Sequence, residues 1–172
     1  PAKNKITMLS LAIEKFLENG YIYIGMDHFA LPTDSLAIAK RQGRLHRNFQ
    51  GYSTQPDCDI IALGVSAIGR VGANYNQNAK ELEDYYDHLN HGRFPIIKGL
   101  ALSKDDIVRR AVIMEIMCQG RLDYESIELA YLINFKEYFS SEMNLLRNFQ
   151  EKDFIDLDDS GIQVTDIGWF FV

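Results

Sequence analysis

The chain has 172 residues, of which 47% are apolar and 24% charged, and its formal net charge is −6. That is enough for one sizeable domain or two small ones, with the composition of a soluble globular protein. No apolar run approaches the ~18 residues of a membrane-spanning helix and no basic-then-apolar leader opens the chain, so the expectation is a cytoplasmic protein with no membrane partner.

Along the chain, Ile6, Leu9, Ile13, Phe16 and Leu17 recur at helical spacing, predicting an amphipathic helix over 5–18 that Gly20 stops. Tyr21 to Ile24 is β-branched and aromatic and reads as a strand. Asp34 stands where it can cap a short helix to Gln42, with Gly43 as its stop. The nearly continuous apolar run Asp59–Val65 has the texture of a strand buried on both faces of a parallel sheet. Gly64, Gly69 and Gly72 then break any longer element. Residues 1–77 therefore read as the closing strands of an α/β sheet or barrel, whose other strands would lie upstream of Pro1.

From Asn78 the pattern turns helical. Asn78 is expected to cap a helix through His88, with a linker at Gly92–Gly99. Ser103 with Asp106 three residues on forms a near capping box for a helix to about Cys118. Further helices are predicted over Tyr124–Leu132 and from about Phe135 to Phe149. Phe154–Leu157 and Ile162–Val164, around Asp158-Asp159-Ser160-Gly161, carry a β-hairpin signal, with another helix opening at Thr165-Asp166. The fold class expected is thus α/β plus mainly helical, with a winged-helix-like domain over 78–172. Residues 123–172 hold eleven acidic and three basic side chains, so a phosphate backbone would be repelled there and no nucleic-acid partner is expected. A start without methionine and an apolar end at Trp169–Val172 predict a chain cut from a longer one.

Several constellations invite chemistry. Cys58 and Cys118, the two cysteines, are too few for a zinc or iron–sulfur ligand set and read as buried free thiols. Gly69-x-x-Gly72 lacks the lysine of a P-loop and the third glycine of a dinucleotide fingerprint, and suits a tight turn or close backbone approach. Arg109-Arg110 follows Asp105-Asp106 by one helical turn, which suggests a salt-bridged face. Asp27-His28 comes directly after the first strand, and either faces a ligand crevice or is a histidine held by its local carboxylate. His28 and His46 alone fall far below a metal signature. In HRNFQGYSTQ, residues 46–55, the donors His46, Arg47, Asn48 and Gln50 alternate with the rings of Phe49 and Tyr52 around Gly51. That mixture suits either a polar, ring-bearing ligand or a well-bonded structural loop.

GMDHFA at 25–30, LHRNFQGY at 45–52, GVSAI at 64–68 and GIQVT at 161–165, in this order and spacing, resemble oxygen-independent coproporphyrinogen III oxidase. The resemblance covers essentially the whole chain. It implies a radical S-adenosylmethionine (SAM) enzyme of heme biosynthesis, in which a [4Fe–4S] cluster cleaves SAM and two propionates of coproporphyrinogen III are oxidatively decarboxylated to vinyl groups. Phe49, Gln50 and Ile68 match SAM-lining positions of the family, and Asp27 and His28 match a family motif with no firm role. No position of this chain matches a catalytic or cluster-ligating residue, because the family's CxxxCxxC motif has no counterpart here. The resemblance thus implies the late barrel strands and helical C-terminal domain of an enzyme whose missing N-terminal half is its partner, monomeric when whole and inactive in this portion alone. Two other readings stay open: a tetrapyrrole- or heme-binding module using His28 and the HRNFQGY loop, and a winged-helix protein-interaction domain.

Overall fold

In the computed structural model, residues 2–56 and 58–171 are described, with the side chains of residues 2 and 3 left aside. The chain divides into two compact units, one of Pro1–Pro56 with Ala111–Val172 and the other of Asp57–Arg110.

In the first unit, α1 (Ala2–Glu18) leads into β1 (Ile22–Gly25), which pairs antiparallel with β2 (His28–Ala30). The rings of Phe16 and Phe29 stack at 4.4 Å between centroids, so the apolar stripe of the helix seats on the hairpin. α2 (Ser35–Arg41) starts where Asp34 caps it, the carboxylate accepting from the Leu36 N–H at 2.8 Å. β3 (His46–Asn48) and β4 (Gly51–Ser53) form a second hairpin, Asn48 opposite Gly51. Ile24, Ala30, Ala37, Ala39, Leu45 and Cys118 close a small core, against which Tyr52 and Met114 pack.

The C-terminal part of this unit follows α4 (Lys104–Gln119; its number leaves α3 for the second unit). β8 (Arg121–Asp123), β9 (Ile155–Leu157) and β10 (Gly161–Val164) make an antiparallel sheet in the order β8-β10-β9. Ile162 lies between Leu122 and Leu157, so one apolar row crosses all three strands. α5 (Tyr124–Tyr131), α6 (Phe135–Tyr138) and α7 (Ser140–Gln150) accompany it. The predicted hairpin is present, and β8 adds a third strand that its three-residue length hid from the sequence. The single helix expected over 135–149 is two, because Phe139 leaves the helical region (φ −102°, ψ 28°) while its ring is buried against Phe135 at 4.7 Å. In place of an α-helix after Thr165 there is one 3-10 turn, Gly168–Phe170.

The second unit departs most from expectation. Its sheet is an antiparallel meander of β5 (Ile68–Val71), β6 (Asn74–Asn78) and β7 (Ile96–Ala101), with α3 (Leu82–Asn90) between the last two. The run Asp59–Val65 is no buried parallel strand. It makes a single bridge, Ile60 to Arg70, and leaves Ile61 and Leu63 largely exposed. Side chains hold it instead: the Asn78 amide donates to the carbonyls of Ala62 and Gly64, Arg70 to that of Cys58, and the Gly64 N–H donates to Tyr85 Oη. Asn78 is therefore a buried strand end rather than a helix cap, and the supposed linker overlaps β7. Where the sequence suggested parallel barrel strands, each paired strand described here is antiparallel. At Ser103 the capping box is formed, with the Asp106 carboxylate accepting from the Ser103 N–H at 2.9 Å and Ser103 Oγ accepting from the Asp106 N–H. The Ser103 hydroxyl and then the Ser103 N–H, both donating to it, hold the Asp106 carboxyl below its ordinary value.

Candidate functional site

The β1–β2 and β3–β4 hairpins interlock through their glycines. A Cβ on Gly25 would lie 2.3 Å from Tyr52 Oη, and one on Gly51 would lie 2.8 Å from His28 Nε2. Each hairpin thus leaves out a side chain where the other inserts a ring. The His28 and Tyr52 rings meet edge to face at 5.2 Å. Gly51 also has φ of 127°, a conformation that L side chains rarely adopt. The motifs GMDHFA and HRNFQGY, separate in sequence, are therefore one structural unit. No local pattern announces this; the signal available was a glycine and an aromatic or imidazole ring in each motif.

Asp27 and His28 sit at the turn and start of β2. His28 Nδ1 lies 2.9 Å from Asp27 Oδ1 but off the line of a hydrogen bond, and this buried nitrogen makes none among the described residues. The histidine is thus held beside its local carboxylate and against the facing hairpin. Arg47 lies across from Tyr52 with its guanidinium 4.7 Å from the ring centroid, and its Nη1 is buried without a hydrogen bond among the described residues. Burial pushes the Tyr52 phenol above its ordinary value, with Arg47 pulling the other way.

Phe49 and Gln50 form the tip of this second hairpin. The Gln50 N–H donates to Asn48 Oδ1 at 2.8 Å, a local turn bond that fixes the tip. Gln50 is exposed and the Phe49 ring is 58% exposed. An amide and an aromatic face stand together at the hairpin tip, a pairing that suits a polar, ring-bearing ligand. Ile68 begins β5 in the second unit, half-buried and paired with Gln77. Beside it, a Cβ on Gly69 would be 2.8 Å from the Ile60 carbonyl oxygen, so close backbone approach and not phosphate binding explains that glycine.

Sequence reasoning missed Lys40. Its ammonium donates to the carbonyls of Tyr23 and Ile24 at 2.9 and 2.7 Å and lies 4.3 Å from the Trp169 ring centroid. It ties the first hairpin to the 3-10 turn of the C-terminus. Burial lowers Lys40 to about 8 although both carbonyls favour its charged form. Arg109 makes its expected bridge to Asp105 at 2.7 Å, whereas Arg110 Nε reaches Tyr75 Oη.

A metal cluster does not fit the residues present. Among the described residues no group of three or more His, Cys, Asp and Glu could hold a metal ion. Cys58 is exposed, against the expectation of a buried thiol, and Cys118 is buried with its thiol pushed up to about 11. No helix among the described residues is long and apolar enough to cross a membrane.

Residues 102–171 match a family described as the HemN C-terminal domain. The chain is 45% identical over 163 residues to the oxygen-independent coproporphyrinogen III oxidase of Escherichia coli strain K12, covering 95% of this chain and 36% of that protein. The corresponding protein of Helicobacter pylori strain 26695 is 36% identical, over 99% of this chain and 37% of its own length. The solved structure of coproporphyrinogen III oxidase (HemN) from Escherichia coli, reported as a radical SAM enzyme, superposes with a TM-score of 0.94 at 43% identity, covering 99% of this chain and 39% of that one. The chain spans little more than a third of the length of these relatives. In sequence and in fold it is homologous to the C-terminal portion of the oxygen-independent coproporphyrinogen III oxidases.

Proposed function

We propose that this chain serves as the C-terminal portion of an oxygen-independent coproporphyrinogen III oxidase and supplies one side of its SAM site through Phe49, Gln50 and Ile68. The observation that carries this reading is the tip of the β3–β4 hairpin, where an exposed Phe49 and an exposed Gln50 follow one another on a hairpin that interlocks with the first. SAM, if bound there in the whole enzyme, would supply hydrogen-abstraction chemistry, with the electron for its cleavage coming from the iron–sulfur cluster. The work of these residues is to bind and orient: Phe49 offers a stacking face to the adenine, Gln50 a donor and acceptor to its polar edge, and Ile68 an apolar wall. The substrate is coproporphyrinogen III and the product protoporphyrinogen IX. The [4Fe–4S] ligands belong to the preceding part of the polypeptide, and this portion alone does not turn over. The whole enzyme acts in the cytoplasm as a monomer.

The experiment is substitution in the full-length enzyme that carries this segment. Phe49→Ala is expected to raise the KM for SAM about tenfold, the loss of ~1–3 kcal/mol that removal of an aromatic stacking partner costs. Gln50→Ala should add to it. Unchanged KM for SAM in both variants would remove Phe49 and Gln50 from the site. The heme-binding alternative is disfavoured by His28 itself. One of its ring nitrogens is buried beside Asp27, and the other lies against Gly51 of the facing hairpin.

A further inference from the structure

We infer that the C-terminal end of α4 sets the orientation of the Phe49–Gln50 tip, with Gln119 and Tyr52 as its two positioning residues. This inference rests on the tip being part of the SAM site. Both legs of the hairpin are anchored to the same turn of helix. On the entry side, the Leu45 carbonyl, directly before β3, accepts from Gln119 Nε2 at 2.9 Å. On the exit side, Tyr52 Oη donates to the Met117 carbonyl at 3.1 Å. The two partners on the helix are separated only by Cys118, which is 2% exposed, and Leu45 is 1% exposed. The anchors are thus part-buried bonds set beside the core, where exchange with water is hindered.

The legs between these anchors are short. Leu45 and Tyr52 stand four and two positions from the Phe49–Gln50 pair, and the closing turn is braced by Asn48. Little freedom remains in which the tip could absorb a displacement of α4. The Tyr52 ring also fills the space above Gly25, so one phenol holds the helix end, the second hairpin and the first in register. Met117, Cys118 and Gln119 all lie within the matched C-terminal domain, residues 102–171. The inference therefore gives that domain a task in catalysis: it aims the SAM-binding tip that precedes it in sequence. Small misplacements of a bound reactant cost rate out of proportion to the binding lost.

The test uses Tyr52→Phe and Gln119→Met in the full-length enzyme, each deleting one anchor and little volume. Each should raise the KM for SAM about fivefold and leave the KM for the porphyrinogen unchanged. Amide hydrogen exchange over 46–53 should accelerate in each while that of α5–α7 stays as in the wild type. A merely structural role would lower the melting temperature without this split between the two KM values. Wild-type KM for SAM in both variants, with Phe49→Ala impaired, overturns the positioning role and leaves the site intact. If Phe49→Ala is also unimpaired, the site assignment itself falls and takes the inference with it.

Discussion

Phe135→Ala will cost the first unit about 3–5 kcal/mol, the range for deleting a buried phenylalanine. Phe135 is 1% exposed, stacks on Tyr124 at 4.4 Å and packs against Phe139 at 4.7 Å. It opens α6 under a double restraint, since its N–H donates to Glu128 Oε1 at 2.7 Å and Asn134 caps the same turn. Truncation would leave a cavity bordered by two rings that cannot both collapse into it. Urea unfolding followed by far-UV circular dichroism checks this: the midpoint should fall far below that of the wild type, with Phe135→Leu losing much less. A midpoint unchanged by Phe135→Ala would mean that the stack is not the centre of this core.

Gly168→Ala is the second large effect, and it acts by steric exclusion. A Cβ at Gly168 would lie 1.9 Å from the Phe154 carbonyl oxygen and 3.0 Å from Val164 Cγ1. The first of these is backbone and cannot swing aside, so either the 3-10 turn or β9 must move. Overpacking of this kind costs typically ~1–3 kcal/mol, and an immovable neighbour places Gly168 at the upper end. The turn is held by the Gly168 N–H donating to Thr165 Oγ1 at 3.0 Å, and it carries Trp169 onto Lys40. The substitution should therefore loosen the C-terminus from the first hairpin as well. Tryptophan fluorescence reads this directly, because Trp169 is the single tryptophan of the chain. Its emission should shift to the red in Gly168→Ala at temperatures where the far-UV signal is still native.

Local signals were the readable part of this fold. Asp34 and the Ser103–Asp106 pair act within four residues of themselves, and both form the caps their spacing suggests. The hairpin at Gly161 was readable for the same reason, as Asp158 accepts from the N–H groups of Ser160 and Gly161. The failures share a different cause. Asp59–Val65 has the apolar texture of a buried strand, yet Asn78, Arg70 and Tyr85, up to 21 residues away, hold its backbone in a loop. β6, with the sequence Asn-Tyr-Asn-Gln-Asn, is rich in a residue depleted from strands, and only its two neighbours in the meander make it one. β7 overlaps the linker expected at Gly92–Gly99, because Gly99 stands inside the strand and Gly92 shortly before it. At the candidate site, composition marked HRNFQGYSTQ as a turn with donors and rings. The assignment of Phe49, Gln50 and Ile68 came from the family resemblance and not from spacing. The interlock of Gly25 with Tyr52 and of Gly51 with His28, and the anchors to Met117 and Gln119, are tertiary facts that no window of sequence contains.

The most direct test of the account is a chimera. The C-terminal portion of the Escherichia coli oxidase that this chain matches would be replaced by residues 1–172, leaving the preceding part of that enzyme unchanged. Conversion of coproporphyrinogen III to protoporphyrinogen IX would then be followed under anaerobic conditions. The account predicts that the chimera turns over, and that introducing Phe49→Ala into it raises the KM for SAM. A chimera that folds and holds its iron–sulfur cluster but forms no protoporphyrinogen IX would contradict it.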